Sequence, residues 1–232
     1  MLHNYAAPGT YKIEIEKQSG YGDVEIRLGG ASQHNRAVNP SVYVTDVDFS
    51  FDIVTTNSHA FRNTSIVDLK LTPYMTTIAQ NAFTACKGLT RVVIPEGIVS
   101  INNEAFDECY NVKEVVFPTT LEYIGSTSFG SMLNLEDIST LENTSVKVIN
   151  ADAFISCRKI REAILPETLE QLGGVSRGVV FRDCSNLSHV VIKSKSLSAI
   201  GTGNFGGCPK LTSAGPIGGD YSIEYEIGRA HV

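Results

Sequence analysis

Five cysteines and five histidines are the residues in this 232-residue sequence whose types could support nucleophilic, redox or metal chemistry. Cys86, Cys109, Cys157, Cys184 and Cys208 each stand three places after a phenylalanine. A thiolate nucleophile needs a base within reach. Of His3, His34, His59, His189 and His231, only His189 lies near a cysteine, Cys184. The local pattern makes His189 a strand residue directed away from the core and Cys184 an inward one, so a dyad is not expected. No two cysteines form a Cys-x-x-Cys pair and no two histidines share helix-face spacing, which leaves a zinc site without support. The glycine-rich run 201–207 follows a short strand inside a repeated unit and is weak as a phosphate cradle. The residues therefore point to no catalytic group, no metal and no cofactor.

Composition narrows the partners. With 42% hydrophobic and 19% charged residues, the chain can build a real core. A formal net charge of -6 removes the basic field that nucleic acid binding needs. Apolar runs such as Val92-Val93-Ile94 and Val179-Val180-Phe181 are far too short to insert into a membrane. The start, Met1-Leu2-His3-Asn4-Tyr5, lacks the features of a signal peptide.

The elements that position the cysteines come from an internal repeat. Phenylalanine recurs at Phe61, Phe83, Phe106, Phe129, Phe154, Phe181 and Phe205, at intervals of 22, 23, 23, 25, 27 and 24. The period is about 23, within the range of solenoids. Leu89, Val112, Leu135, Ile160, Leu187 and Leu211 share one column, and Ile78, Ile101, Ile124, Ile149, Leu172 and Ile200 another. Pairs two apart, such as Val92/Ile94 and Val190/Ile192, turn toward one face of a strand. Pro95, Pro118 and Pro166 then end the strand by removing the next ladder donor. In Ala82-Phe83/Cys86, Ala105-Phe106/Cys109 and Ala153-Phe154/Cys157, the apolar residues share one side of a short helical turn, which should face inward. Because Met132 fills the cysteine column in one coil, the column favours buried thiols over bridges such as Cys86/Cys109 or Cys184/Cys208. A single unit buries too little to offset its ordering entropy, so stability belongs to the stack. Stacked strands at about 4.8 Å would give one sheet on the order of 35 Å long.

The pattern Ile-x-x-x-Ala-Phe-x-x-Cys-x-x-Leu-x-x-Val-x-Ile-Pro resembles the BspA-like leucine-rich repeats over about residues 44–219. That resemblance implies a leucine-rich-repeat solenoid, a right-handed β/α superhelix that is mainly β with short helical turns, in about seven to eight coils. It implies no catalytic residues. It also implies an extracellular or cell-surface parent protein, acting as a non-catalytic binding or adhesion module for a protein or glycan. The alternative is a structural spacer or tail-fibre component of a surface or phage assembly.

Residues 1–16 resemble the closing hairpin of a polycystic-kidney-disease domain, with Pro8-Gly9 as the turn and Tyr11, Ile13 and Ile15 alternating with Lys12 and Glu14. Residues 17–43 read as a transition or cap over the first coil. Residues 220–232 form a tail whose end, 226–232, resembles a translated sequencing-library adapter. Both ends are expected to be those of a fragment, with self-association possible through uncapped coils. The candidate ligand face is the outward side of the strands. Arg91, Glu114, Asp137, Glu162 and His189 form a mostly acidic stripe beside Val93, Val116, Ile164 and Val191. Exposed aliphatic residues beside polar ones mark contact surfaces, although valine and isoleucine also suit any pleated surface.

Overall fold

The structure, a computed structural model, describes residues 46–48, 59–174, 178–201, 203–211 and 213–214. The expected hairpin at 1–16, the transition at 17–43 and the tail at 220–232 lie outside these residues. In chain order the strands are β1 (Asp46–Asp48), β2 (Asp68–Lys70), β3 (Thr77–Ile78), β4 (Arg91–Val93), β5 (Ser100–Ile101), β6 (Glu114–Val116) and β7 (Tyr123–Ile124). After a 3-10 helix at Ser139–Asn143 follow β8 (Val148–Ile149), β9 (Glu162–Leu165), β10 (Gln171–Leu172), β11 (His189–Ile192), β12 (Ala199–Ile200) and β13 (Ser213–Ala214).

All pairings are parallel, as expected when each coil lays its strand on the equivalent strand of the last. The two-residue strands β3, β5, β7, β8, β10 and β12 form one unbroken six-stranded ladder. These six rungs span about five turns, slightly fewer than the seven to eight coils expected. The remaining strands behave differently. They divide into β1-β2, β4-β6 and β9-β11-β13, so the single long sheet expected from the sequence is broken. One break lies between β2 and β4; the other, between β6 and β9, falls where Asp137 makes one bridge to Glu114 and the chain then winds into the 3-10 helix. That coil contains the 25-residue interval from Phe129 to Phe154, and its extra length is taken up in the helix.

The Ala-Phe-x-x-Cys segments are not helical turns, contrary to expectation. Around Phe83, the Ala82, Thr84 and Cys86 amides bond back three residues, to Ala79, Asn81 and Phe83. The intervening amides of Asn81, Phe83 and Ala85 donate instead to Asn103, Ala105 and Asp107 in the next coil, at 3.0, 2.8 and 2.7 Å. Turning every second amide along the stack requires left-handed backbone two residues before and after the phenylalanine. Asn81 has φ 58° and Ala85 φ 59°; Glu104, Glu108, Thr127, Ser131, Asp152 and Ser156 repeat the pattern. A helix cannot pass through such residues.

The core is a set of columns. Phe83, Phe106, Phe129, Phe154 and Phe181 are fully buried. From Phe61 to Phe205 neighbouring rings stack with centroids 5.1 to 6.0 Å apart. Each offset stack adds about 0.5–1.5 kcal/mol beyond its buried area. The isoleucines of the two-residue strands and the leucine column close the core from the other sides.

Candidate functional site

The strands β4, β6, β9 and β11 position the candidate face by alternation. Val92 is buried between exposed Arg91 and Val93, and Val115 between half-buried Glu114 and Val116. Ala163 and Val190 are inward in the same way, which turns Glu162, Ile164, His189 and Val191 outward. Ladder register sets Arg91 beside Glu114 and Val93 beside Val116. It likewise sets Glu162 beside His189 and Ile164 beside Val191. The nine residues thus form two clusters. Asp137, in the coil between them, accepts the Ser139 amide at 2.7 Å and starts the 3-10 helix.

At β4 and β6 the stripe is less acidic in effect than its composition suggests, because Arg91 and Glu114 pair along the ladder. Arg91 grips Glu114 through Nε at 2.6 Å and a second nitrogen at 3.3 Å. That hydrogen bond and the carboxylate's charge hold the guanidinium above its ordinary range. Asp68 faces Lys70 at 3.8 Å, and His189 Nε2 lies 3.7 Å from Glu162. Each exposed pair is worth little stability, and in the stripe itself only Arg91 and Glu114 compensate one another as full charges. The apolar part remains open: Val93 is 41% exposed, and Val116, Ile164 and Val191 are half-buried.

Sequence reasoning missed the bracket across this surface. Glu142 of the 3-10 helix accepts from Lys193 at 2.9 Å, passing over the coil between them. The long interval after Phe129 was the available signal. Exposed Val67 and Tyr74, 57% and 62%, also had no signal beyond their apolar type.

The cysteines hold no catalytic arrangement. All five are buried and unbridged. Each thiol donates to the carbonyl of the phenylalanine one coil earlier: Cys86 to Phe61, Cys109 to Phe83, Cys157 to Phe129 and Cys184 to Phe154 at 3.2 Å, and Cys208 to Phe181 at 3.1 Å. In the first described coil Thr64 occupies the cysteine position and its hydroxyl bonds Phe61 O at 2.7 Å. Burial pushes the Cys157 thiol up to about 12 and Cys208 up to about 11, and raises Cys109 and Cys184 as well. Thiols so raised are poor nucleophiles, and Cys86, which its hydrogen bond with Cys109 lowers instead, is shielded from reagents by its burial. A colorimetric thiol reagent is expected to find less than about one reactive equivalent in the native protein and all five in denaturant. Rapid native reaction of several thiols would contradict this assignment.

Among the described residues no group of three or more His, Cys, Asp or Glu could hold a metal ion. An open depression of about 360 Å³ is lined by Thr127, Asp152, Ile155, Val179 and Arg182, on the turn side of the coils. No described helix is long and apolar enough to cross a membrane.

Residues 54–176 and 140–215 match the BspA type leucine rich repeat region, in six copies. The chain belongs to the BspA-type leucine-rich repeat family. Its coil columns, proline stops and phenylalanine ladder are this family's repeat in three dimensions. No curated protein matches the chain significantly. Among solved structures, the array is similar to a leucine-rich repeat protein of T. pallidum, with 29% identity and a TM-score of 0.59 over 68% of this chain and 72% of that one. It also resembles a leucine rich cell surface protein of Faecalibacterium prausnitzii, with 21% identity and a TM-score of 0.51, over 74% of this chain. This BspA-type chain spans 57% of the latter's length, and at that identity the likeness is one of fold.

Proposed function

We propose that this BspA-type array is a non-catalytic binding module of a microbial surface or secreted protein, and that it recognises a protein partner through the outward side of β4, β6, β9 and β11. The observation that carries the reading is the pairing of the face's own charges beside solvent-accessible aliphatic residues. Arg91 and Glu114 satisfy one another, so covering β4 and β6 leaves neither of these two charges unpaired, while Val93 and Val116 gain by burial. Aliphatic side chains at the centre of a patch with a polar rim suit the apolar side chains of a protein partner better than a glycan. The surface location rests on the family and on the description of the F. prausnitzii protein.

The experiment is capture from a host-surface protein extract by the immobilised chain, compared with a variant carrying Val93→Lys, Val116→Lys and Val191→Lys. These positions are outward, so circular dichroism is expected to be unchanged while the captured species falls by roughly tenfold or more. Equal capture by both proteins rejects this face. Self-association of both proteins without any captured species would favour the structural-spacer reading.

A further inference from the structure

Among the described residues, Asp107 is the acidic side chain of the turn layer with a buried, unpartnered carboxyl oxygen, Oδ1. The next coil covers it with Gly130, close enough that a Cβ built there would lie 2.9 Å from Oδ1 and 2.6 Å from Thr127 Cγ2, so a larger residue would crowd the carboxyl group. The equivalent residue one coil earlier is Thr84, whose hydroxyl donates to Asn81 Oδ1 at 3.2 Å and Glu104 O at 2.5 Å. An uncharged side chain therefore fits this position, and the carboxylate is not required for the coil to form.

We propose that Asp107 makes the stacking of the central coils pH-responsive, the neutral acid being accommodated beneath Gly130 and the carboxylate loosening the turn layer there. Burial and the nearby carboxylates act in the same sense, against weaker opposition. Burial first, then Glu108 and Glu104, push the carboxyl up to about 7; the Glu108 amide and Arg62 oppose them. The neighbouring Cys109 and Cys157 thiols are themselves raised by burial and add no positive charge. In the unfolded chain the acid ionises near about 4. Folding therefore takes up a proton between about pH 4 and about pH 7, and the stabilisation is complete below that window and lost as pH rises through it. The affected bonds are those joining the coils at this level, Ala85 N–H to Asp107 O at 2.7 Å and Glu108 N–H to Gly130 O at 3.0 Å.

The test compares urea unfolding of the chain and of Asp107→Asn from about pH 5 to about pH 8. The folding constant of the natural chain relative to the variant is expected to fall roughly 80-fold over that range, most of it below about pH 7. Asp107→Thr, which copies the preceding coil, is expected to match Asp107→Asn and decides the matter should the asparagine variant fold poorly. Hydrogen exchange at the Ala85 and Glu108 amides should show protection decreasing with pH only in the natural chain. Parallel stability profiles for the natural chain and either folded variant would overturn the proposal.

Discussion

Phe129→Ala is expected to destabilise the array by about 3–5 kcal/mol, the cost of emptying a fully buried aromatic site. Phe129 lies 5.7 Å from Phe106 and 5.4 Å from Phe154 in the stack, and Phe117 meets its edge at 5.3 Å. Collapse is restricted because the flanking rings belong to separate coils tied by their own hydrogen bonds. The same coil already contains the broken longer-strand ladder. Losing the ring there should weaken the contact between the two halves, so that thermal unfolding, followed by circular dichroism, moves from one transition toward two. A loss below about 1 kcal/mol with a single sharp transition would show that the phenylalanine ladder is not the principal core.

Gly88→Ala is expected to cost about 2–3 kcal/mol, far more than an added methyl on a surface turn. The interval of 22 between Phe61 and Phe83 is the shortest in the chain, and the omitted residue lies between Thr64 and Ile66. The shortened turn cuts inward across Gly88. A Cβ there would be 2.4 Å from Ile66 O and 2.7 Å from Ser65 O, main-chain atoms that cannot rotate aside. Asparagine occupies the equivalent place in later coils, where Asn111 and Asn134 donate to Lys87 O and Tyr110 O at 2.8 and 2.9 Å. Asn111→Gly should therefore cost no more than about 1 kcal/mol, the net worth of its hydrogen bond. Similar losses for the two variants in urea unfolding would show that the short turn can relax.

These residues also show what was legible before any coordinates. The phenylalanine, leucine and isoleucine columns are spaced by the coil itself, so apolar periodicity fixed the stack and the inward direction of the cysteines. Val93 and Val116 were placed outward by simple alternation, and the structure has them there. The turn layer was misread because its left-handed residues include Glu104, Thr127 and Asp152, types that carry no conformational signature. The phenylalanine and cysteine spacing of such a layer is compatible with a helical turn, and only the cross-coil bonds distinguish them. Ser139-Thr140-Leu141 reads in the sequence as a weak strand end without a proline, but not as a break in the sheet. Asp137-Ile138-Ser139 continues the strand pattern, whereas the added length after it is accommodated by winding rather than by a loop. Charge was overread in the opposite direction. A column of acids counts Arg91 as one exception, but Arg91 neutralises the very residue that made the stripe look uniform.

The turn-layer amides described above give the array a built-in polarity with an evolutionary reading. Because Phe83 hands its N–H forward to Ala105, Phe106 to Ser128 and Phe129 to Ala153, each unit offers its successor the same connector that it takes from its predecessor. Copying one unit of the gene in frame therefore inserts a matching plug and socket together. Length can change by whole units without redesigning the neighbours, while a change of one residue, as before Gly88, must be absorbed on the spot.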